Sequence, residues 1–133
     1  MTDDDVAATF ARLPGLVNSD PAVVGRGRHL RTNFLIGCGG RRIHVTIEDG
    51  RVAAVGEPAL MGSSQFAIHA GAKCWERFWR AVPEPGYHDL LAMTRFGHAR
   101  IEGDMLPLMQ NLQYIKDVLA SPRCEVEEVA HGD

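Results

Sequence analysis

The chain reads as an α+β domain, and three features of the sequence say so. Apolar residues alternate with period two through the first half, then switch to period 3.6 from Trp75 onward. Glycine, proline and Asp-Gly punctuation separates five short strand candidates from the helices. At 133 residues and 45% hydrophobic content, one domain of this kind can bury a core without a disulfide framework or a structural metal.

Asp3, Asp4 and Asp5 precede Val6, Phe10 and Leu13, which share one helix face; acids suit a helix start, and Pro14-Gly15 is expected to stop it. Asn18-Ser19-Asp20-Pro21 reads as a turn opening a second short helical stretch through Val24, followed by the basic connector Gly25–Arg28. Arg31–Ile36 is a strand closed by Gly37, Gly39 and Gly40. Arg42–Glu48 is the clearest strand, with Ile43, Val45 and Ile47 on one face and His44, Thr46 and Glu48 on the other. Asp49-Gly50 is a strong tight-turn signal, so Arg51–Val55 returns as the second arm of a hairpin. After a loop over Gly56–Ser64, Gln65–Ala70 forms a fourth strand with Phe66, Ile68 and Ala70 together.

Trp75, Phe78, Trp79 and Val82 then fall at i, i+3, i+4 and i+7, one apolar helix face, which Pro83–Gly86 interrupts. Tyr87–Phe96 reads as a short helix and His98–Glu102 as a last strand ended by Gly103. Asp104 caps a long helix over Met105–Ala120, with Pro107 in its first turn where a missing N–H costs little. Met105, Leu108, Met109, Leu112, Ile115 and Leu119 form one stripe along it, and the apolar face of the sheet is the surface able to receive that stripe. Phe34, Ile36, Ile43, Val45, Ile47, Phe66 and Ile68 supply the sheet side, and an acidic tail closes the chain.

Several function classes fall away. A net charge of −3 argues against a general nucleic-acid binder. Cys38, Cys74 and Cys124 are odd in number and lack C-x-x-C spacing, which points to apolar fillers in a reducing, cytoplasmic setting. The N-terminus lacks a positively charged leader, and no uncharged apolar run approaches a membrane span of about 20 residues. The six histidines show no metal-ligand spacing; His44 and His69 are expected on the solvent side of their strands, and His98 and Glu102 meet them only if their strands are neighbours. His88-Asp89 is the best acid/base pair, although adjacent residues rarely cooperate on a helix. Arg26, Arg28, Arg31, Arg41 and Arg42 form a basic group whose plain reading is a solvated surface. Its functional reading is weak attraction to an anionic membrane surface or to a ligand's phosphate or carboxylate. Gly37-Cys38-Gly39-Gly40 lacks the Lys-Ser/Thr of a phosphate loop.

The strand leading into the Trp-bearing helix, then Gly97, Ile101, Gly103 and Asp104 ahead of the Met/Leu-rich helix, resembles the sterol carrier protein type 2 family over roughly residues 30–120. The resemblance implies a five-stranded, mostly antiparallel sheet covered on one face by helices, with an apolar tunnel between them. It implies non-covalent binding or transfer of a sterol, fatty acid or fatty acyl-CoA, with no cofactor, no metal and no catalytic residue. On this reading residues 1–29 are an N-terminal helical segment, 30–120 the lipid-binding domain and 121–133 the tail. The expected tunnel contacts are Trp75, Trp79, Leu91, Met105, Leu108, Met109 and Leu112. The segment Arg80–His88 departs from the polar turn that many members carry there. The expected partner is an apolar small molecule, with no nucleic acid, at most transient membrane-surface contact, and a possible homodimer. Two other readings are a non-catalytic dimerisation or accessory domain acting with a partner enzyme, and a small enzyme using His88 or Asp89.

Overall fold

Three short helices open the chain: α1 (Asp3–Phe10), α2 (Leu13–Asn18) and α3 (Pro21–Arg26). The computed structural model describes residues 1–58 and 64–123; the acidic tail and Cys124 lie outside them. α1 starts where it does because Thr2 and Asp5 form a capping box: the Thr2 hydroxyl accepts the Asp5 N–H at 3.2 Å and the Asp5 carboxylate accepts the Thr2 N–H at 2.9 Å. The first helix ends before Pro14, not at it. Pro14 sits in the first turn of α2, where no N–H is required, so it begins a helix rather than stopping one. Val6, Phe10, Leu13 and Val17 are all fully buried.

The sheet contains β1 (Arg31–Cys38), β2 (Arg41–Glu48), β3 (Arg51–Gly56), β4 (Phe66–Ala70) and β5 (Ala99–Gly103), in the order β3-β2-β1-β4-β5. All neighbours are antiparallel except β1 and β4, because the chain leaves the β3 edge and returns to pair beside β1. Burial alternates as the period-two pattern requires. Phe34, Ile36, Ile43, Val45, Ile47, Phe66 and Ile68 point inward, and Arg42, His44, His69 and Arg100 lie on the other face. At the hairpin tip Asp49 and Gly50 both take positive φ, 53° and 81°, the twist that a two-residue hairpin favours. Tyr114 is buried beneath this tip and donates its hydroxyl to the Gly50 carbonyl at 2.8 Å; burial pushes its pKa up to about 12.

The remaining helices are α4 (Ala72–Phe78), α5 (Leu90–Arg95), α6 (Met105–Gln110) and α7 (Leu112–Ala120). α4 starts three residues before Trp75 and ends at Phe78, so Val82 lies beyond it and stays exposed. α5 is shorter than the Tyr87–Phe96 expectation because Asp89 caps it. The long helix over Met105–Ala120 is two helices. Asn111 breaks it: its side-chain amide donates to the Pro107 carbonyl at 3.0 Å, taking the acceptor that its own backbone N–H would use in an unbroken helix. That N–H goes instead to Leu108 at 3.2 Å. The stripe therefore divides: Leu108, Ile115 and Leu119 are fully buried, whereas Met105 and Met109 face outward. Cys38 is a buried free thiol, its pKa raised first by burial, as an apolar filler requires.

Candidate functional site

β5 hands the chain directly to α6. Gly103 has a φ of 97°, and a Cβ there would lie 2.7 Å from the Gln65 carbonyl, so only glycine lets the strand end this close to its neighbour. The Asp104 N–H donates to that same carbonyl at 2.8 Å, and its carboxylate accepts the Leu106 N–H at 3.0 Å to cap α6. α6 thus leaves the sheet at a fixed point, next to the Phe66 end of β4, where Phe34 and Phe66 stack with ring centroids 5.1 Å apart.

α6 carries no charged residue, yet only Leu108 is buried. Met105, Leu106 and Met109 are 40, 60 and 49% exposed, three of the seven large apolar side chains that stay exposed among the described residues. Each such side chain leaves roughly 1.5–3 kcal/mol of burial unclaimed when wholly exposed, and proportionately less here. Methionine adds a flexible, polarizable surface that repacks around varied shapes. Leu91, 38% exposed, lies on α5, and Leu112 packs half-buried against the core.

Trp75 and Trp79 sit deeper. Neither has exposed surface, and both indole N–H groups are satisfied, Trp75 by Gly37 O at 3.2 Å and Trp79 by Leu119 O at 2.9 Å. Both rings pack edge-on against Phe10 of α1, a partner the period-3.6 reading did not include. The seven expected contacts thus divide between a core layer (Trp75, Trp79, Leu108), a half-buried Leu112, and an outer set of Leu91, Met105 and Met109.

The His88-Asp89 pair is engaged in structure. His88 Nε2 is 3.9 Å from Asp89, but Asp89 accepts the Ala92 N–H at 2.8 Å as the α5 cap and pairs with Lys116 at 3.3 Å. Burial alone would raise its pKa; the Ala92 hydrogen bond, the Lys116 charge and His88 outweigh that and hold the carboxyl below its ordinary range. A carboxylate kept ionised in the folded state stabilises it above the unfolded pKa near ~4, and this contribution is lost as pH falls through the folded value. Asp89→Ala should therefore cost about 1–2 kcal/mol at neutral pH, with the difference shrinking below about pH 4; urea titrations at several pH values check both.

His44 and His69 are half-buried rather than fully in solvent, and His44 Nε2 is buried without a hydrogen-bond partner. β4 and β5 are neighbours, and Glu102 comes within 3.4 Å of His69. No group of three metal-ligating side chains forms among the described residues.

No family model matches the sequence, and no curated protein matches it. Solved structures do match in shape. A crystal structure of sterol carrier protein 2 superposes with a TM-score of 0.65 over 88% of this chain and 92% of its own, at 12% identity. This chain has the sterol carrier protein 2 fold. A UbiJ-SCP2 ubiquinone synthesis protein shares that fold at TM-score 0.59 and 18% identity, over 86% of this chain and 92% of its own. A possible sterol carrier protein from Thermus thermophilus matches at TM-score 0.58 and 12% identity, over 85% of each chain. No helix among the described residues is long and apolar enough to cross a membrane.

Proposed function

We propose that this protein binds an apolar small molecule, a sterol or an acyl chain, by non-covalent burial, and sequesters or transfers it. The observation that carries this reading is α6: an uncharged helix, hinged at Asn111, that buries Leu108 and leaves Met105, Leu106 and Met109 in water. The sterol carrier fold supports it, since matching structures are described as a sterol carrier protein 2 and as a possible sterol carrier protein. Leu91, Met105, Met109 and Leu112 are the proposed direct contacts, with Leu108, Trp75 and Trp79 as the wall behind them. The driving force is water exclusion, about 0.8 kcal/mol per buried methylene. Ten methylenes then contribute about 8 kcal/mol, against an association cost of at least about 4 kcal/mol. No directional chemistry is needed.

Met109→Trp tests the assignment. The residue is half exposed, so the fold tolerates a larger side chain, while the indole occupies space the guest needs. The expected result is at least about a tenfold weaker affinity for a fluorescent fatty acid, with an unchanged circular dichroism spectrum. Unaltered affinity removes α6 from the binding site.

A further inference from the structure

The sheet face turned away from the helices carries a groove of about 540 Å³. Every polar side chain lining it is basic: Arg42, His69, His98 and Arg100. In a chain of net charge −3, the lining of this concavity holds two arginines and two histidines and no carboxylate of its own, with Glu102 beside it as the partner of Arg100 and His69. The register explains how it is built. Gly37 of β1 pairs with Arg42 of β2 on one side and His69 of β4 on the other, and His69 pairs with Arg100 of β5. One row across four strands therefore reads Arg, Gly, His, Arg. The two arginine backbones stand three strand spacings apart, about 14 Å, and the register puts both residues on the same face of the sheet, on either side of Gly37 and His69.

Gly37 is required at this place. A Cβ there would lie 2.4 Å from His69 Nδ1, so the glycine both forms the floor and lets the imidazole lie over it. The basic groups are positioned. Glu102 holds Arg100 at 2.9 Å and His69 at 3.4 Å. His98 stacks on Tyr87 with ring centroids 4.3 Å apart, and Arg77 donates to the Tyr87 hydroxyl at 3.1 Å. Arg42 makes no ion pair among the described residues, which leaves its guanidinium for a ligand.

We propose that this open-face groove binds a phosphoryl group, held by Arg42 and Arg100 from opposite sides with His69 beneath it. Three donors from three strands match the three oxygens of a phosphate ester better than the two of a carboxylate, and guanidinium forks suit that geometry. The group arrives either on a soluble phosphorylated molecule or as a lipid headgroup. The site lies across the sheet from α6 and stands independently of the apolar reading.

Calorimetric titration with inorganic pyrophosphate, and co-sedimentation with phosphatidate against phosphatidylcholine vesicles, test it. The wild-type chain is expected to bind at least one phosphate source saturably. Arg42→Gln and Arg100→Gln should each weaken that binding by about tenfold or more, with circular dichroism unchanged. Arg51→Gln on the edge strand β3, which removes the same charge outside the groove, should leave it unaltered. Pyrophosphate binding without vesicle binding assigns a soluble ligand; phosphatidate binding without pyrophosphate binding assigns a headgroup. No saturable binding of either source, or an equal loss in the Arg51 variant, overturns the proposal. None of these outcomes bears on fatty-acid affinity, so the two sites fail separately.

Discussion

Gly50→Ala is expected to destabilise the protein by about 3–5 kcal/mol, a large share of the roughly 5–15 kcal/mol that holds a domain of this size together. Two penalties combine. The backbone at Gly50 has a φ of 81°, where a side chain meets its own carbonyl, and the added Cβ would sit 2.3 Å from the Val24 carbonyl oxygen and 2.8 Å from Gly27 C. Those neighbours are backbone of α3 and its cap, so relief requires moving the helix or the hairpin. Moving the hairpin stretches the Tyr114 hydrogen bond to Gly50 as well. Gly97→Ala provides the comparison: its φ is 78° but nothing lies within 4 Å of the new Cβ. Urea denaturation of the pair should separate strain from collision, with Gly97→Ala losing only about 1–2 kcal/mol. Equal losses would mean that the tip and α3 are not locked together.

Phe10→Ala should cost about 3–5 kcal/mol. Phe10 is fully buried, with its ring centroid 5.0 Å from that of Trp75 and 4.9 Å from that of Trp79, both edge-on. Removing it opens a void between the only two tryptophans in the chain, so their emission should shift as stability falls. A loss under about 1 kcal/mol would mean that α1 rides on the surface and that residues 30–120 are self-sufficient. A large loss makes the N-terminal helices a structural part of the domain that contains the sheet. The same void lies beside Trp79, whose indole is tied to Leu119 of α7, so α7 would loosen with it.

The strands were readable in the sequence because their signal is local. Ile43, Val45 and Ile47 alternate with polar neighbours, and Asp49-Gly50 names its turn through the positive φ that few other residues accept. The expected boundaries of β2 and β4 differ from the observed ones by a single residue each. The helices were less legible. Period 3.6 places Met105, Leu108, Met109 and Leu112 on one face, but the outcome depended on a single side-chain amide at Asn111 competing with the backbone, which no periodicity records. Pro14 was ambiguous for a similar reason: proline ends one helix and suits the first turn of the next, and only the path of Leu13 into the core decides between them. Phe10 against Trp75 and Trp79 joins residues more than sixty positions apart, which neither spacing nor propensity carries. The row of Arg42, Gly37, His69 and Arg100 depends on strand order, and a parallel β1–β4 pair cannot be read from four strands each described alone.

That parallel pair has a consequence for assembly. The meander β1-β2-β3 closes through two tight turns, while β4 must come back from the far edge before it meets its partner. Local hairpins zip in microseconds, whereas pairings between distant segments wait on loop closure. The central junction of the sheet is therefore the late event in folding. Until it forms, β1 exposes a bare backbone edge running Phe34–Cys38, the place where a newly made chain is most open to adding a strand from another molecule.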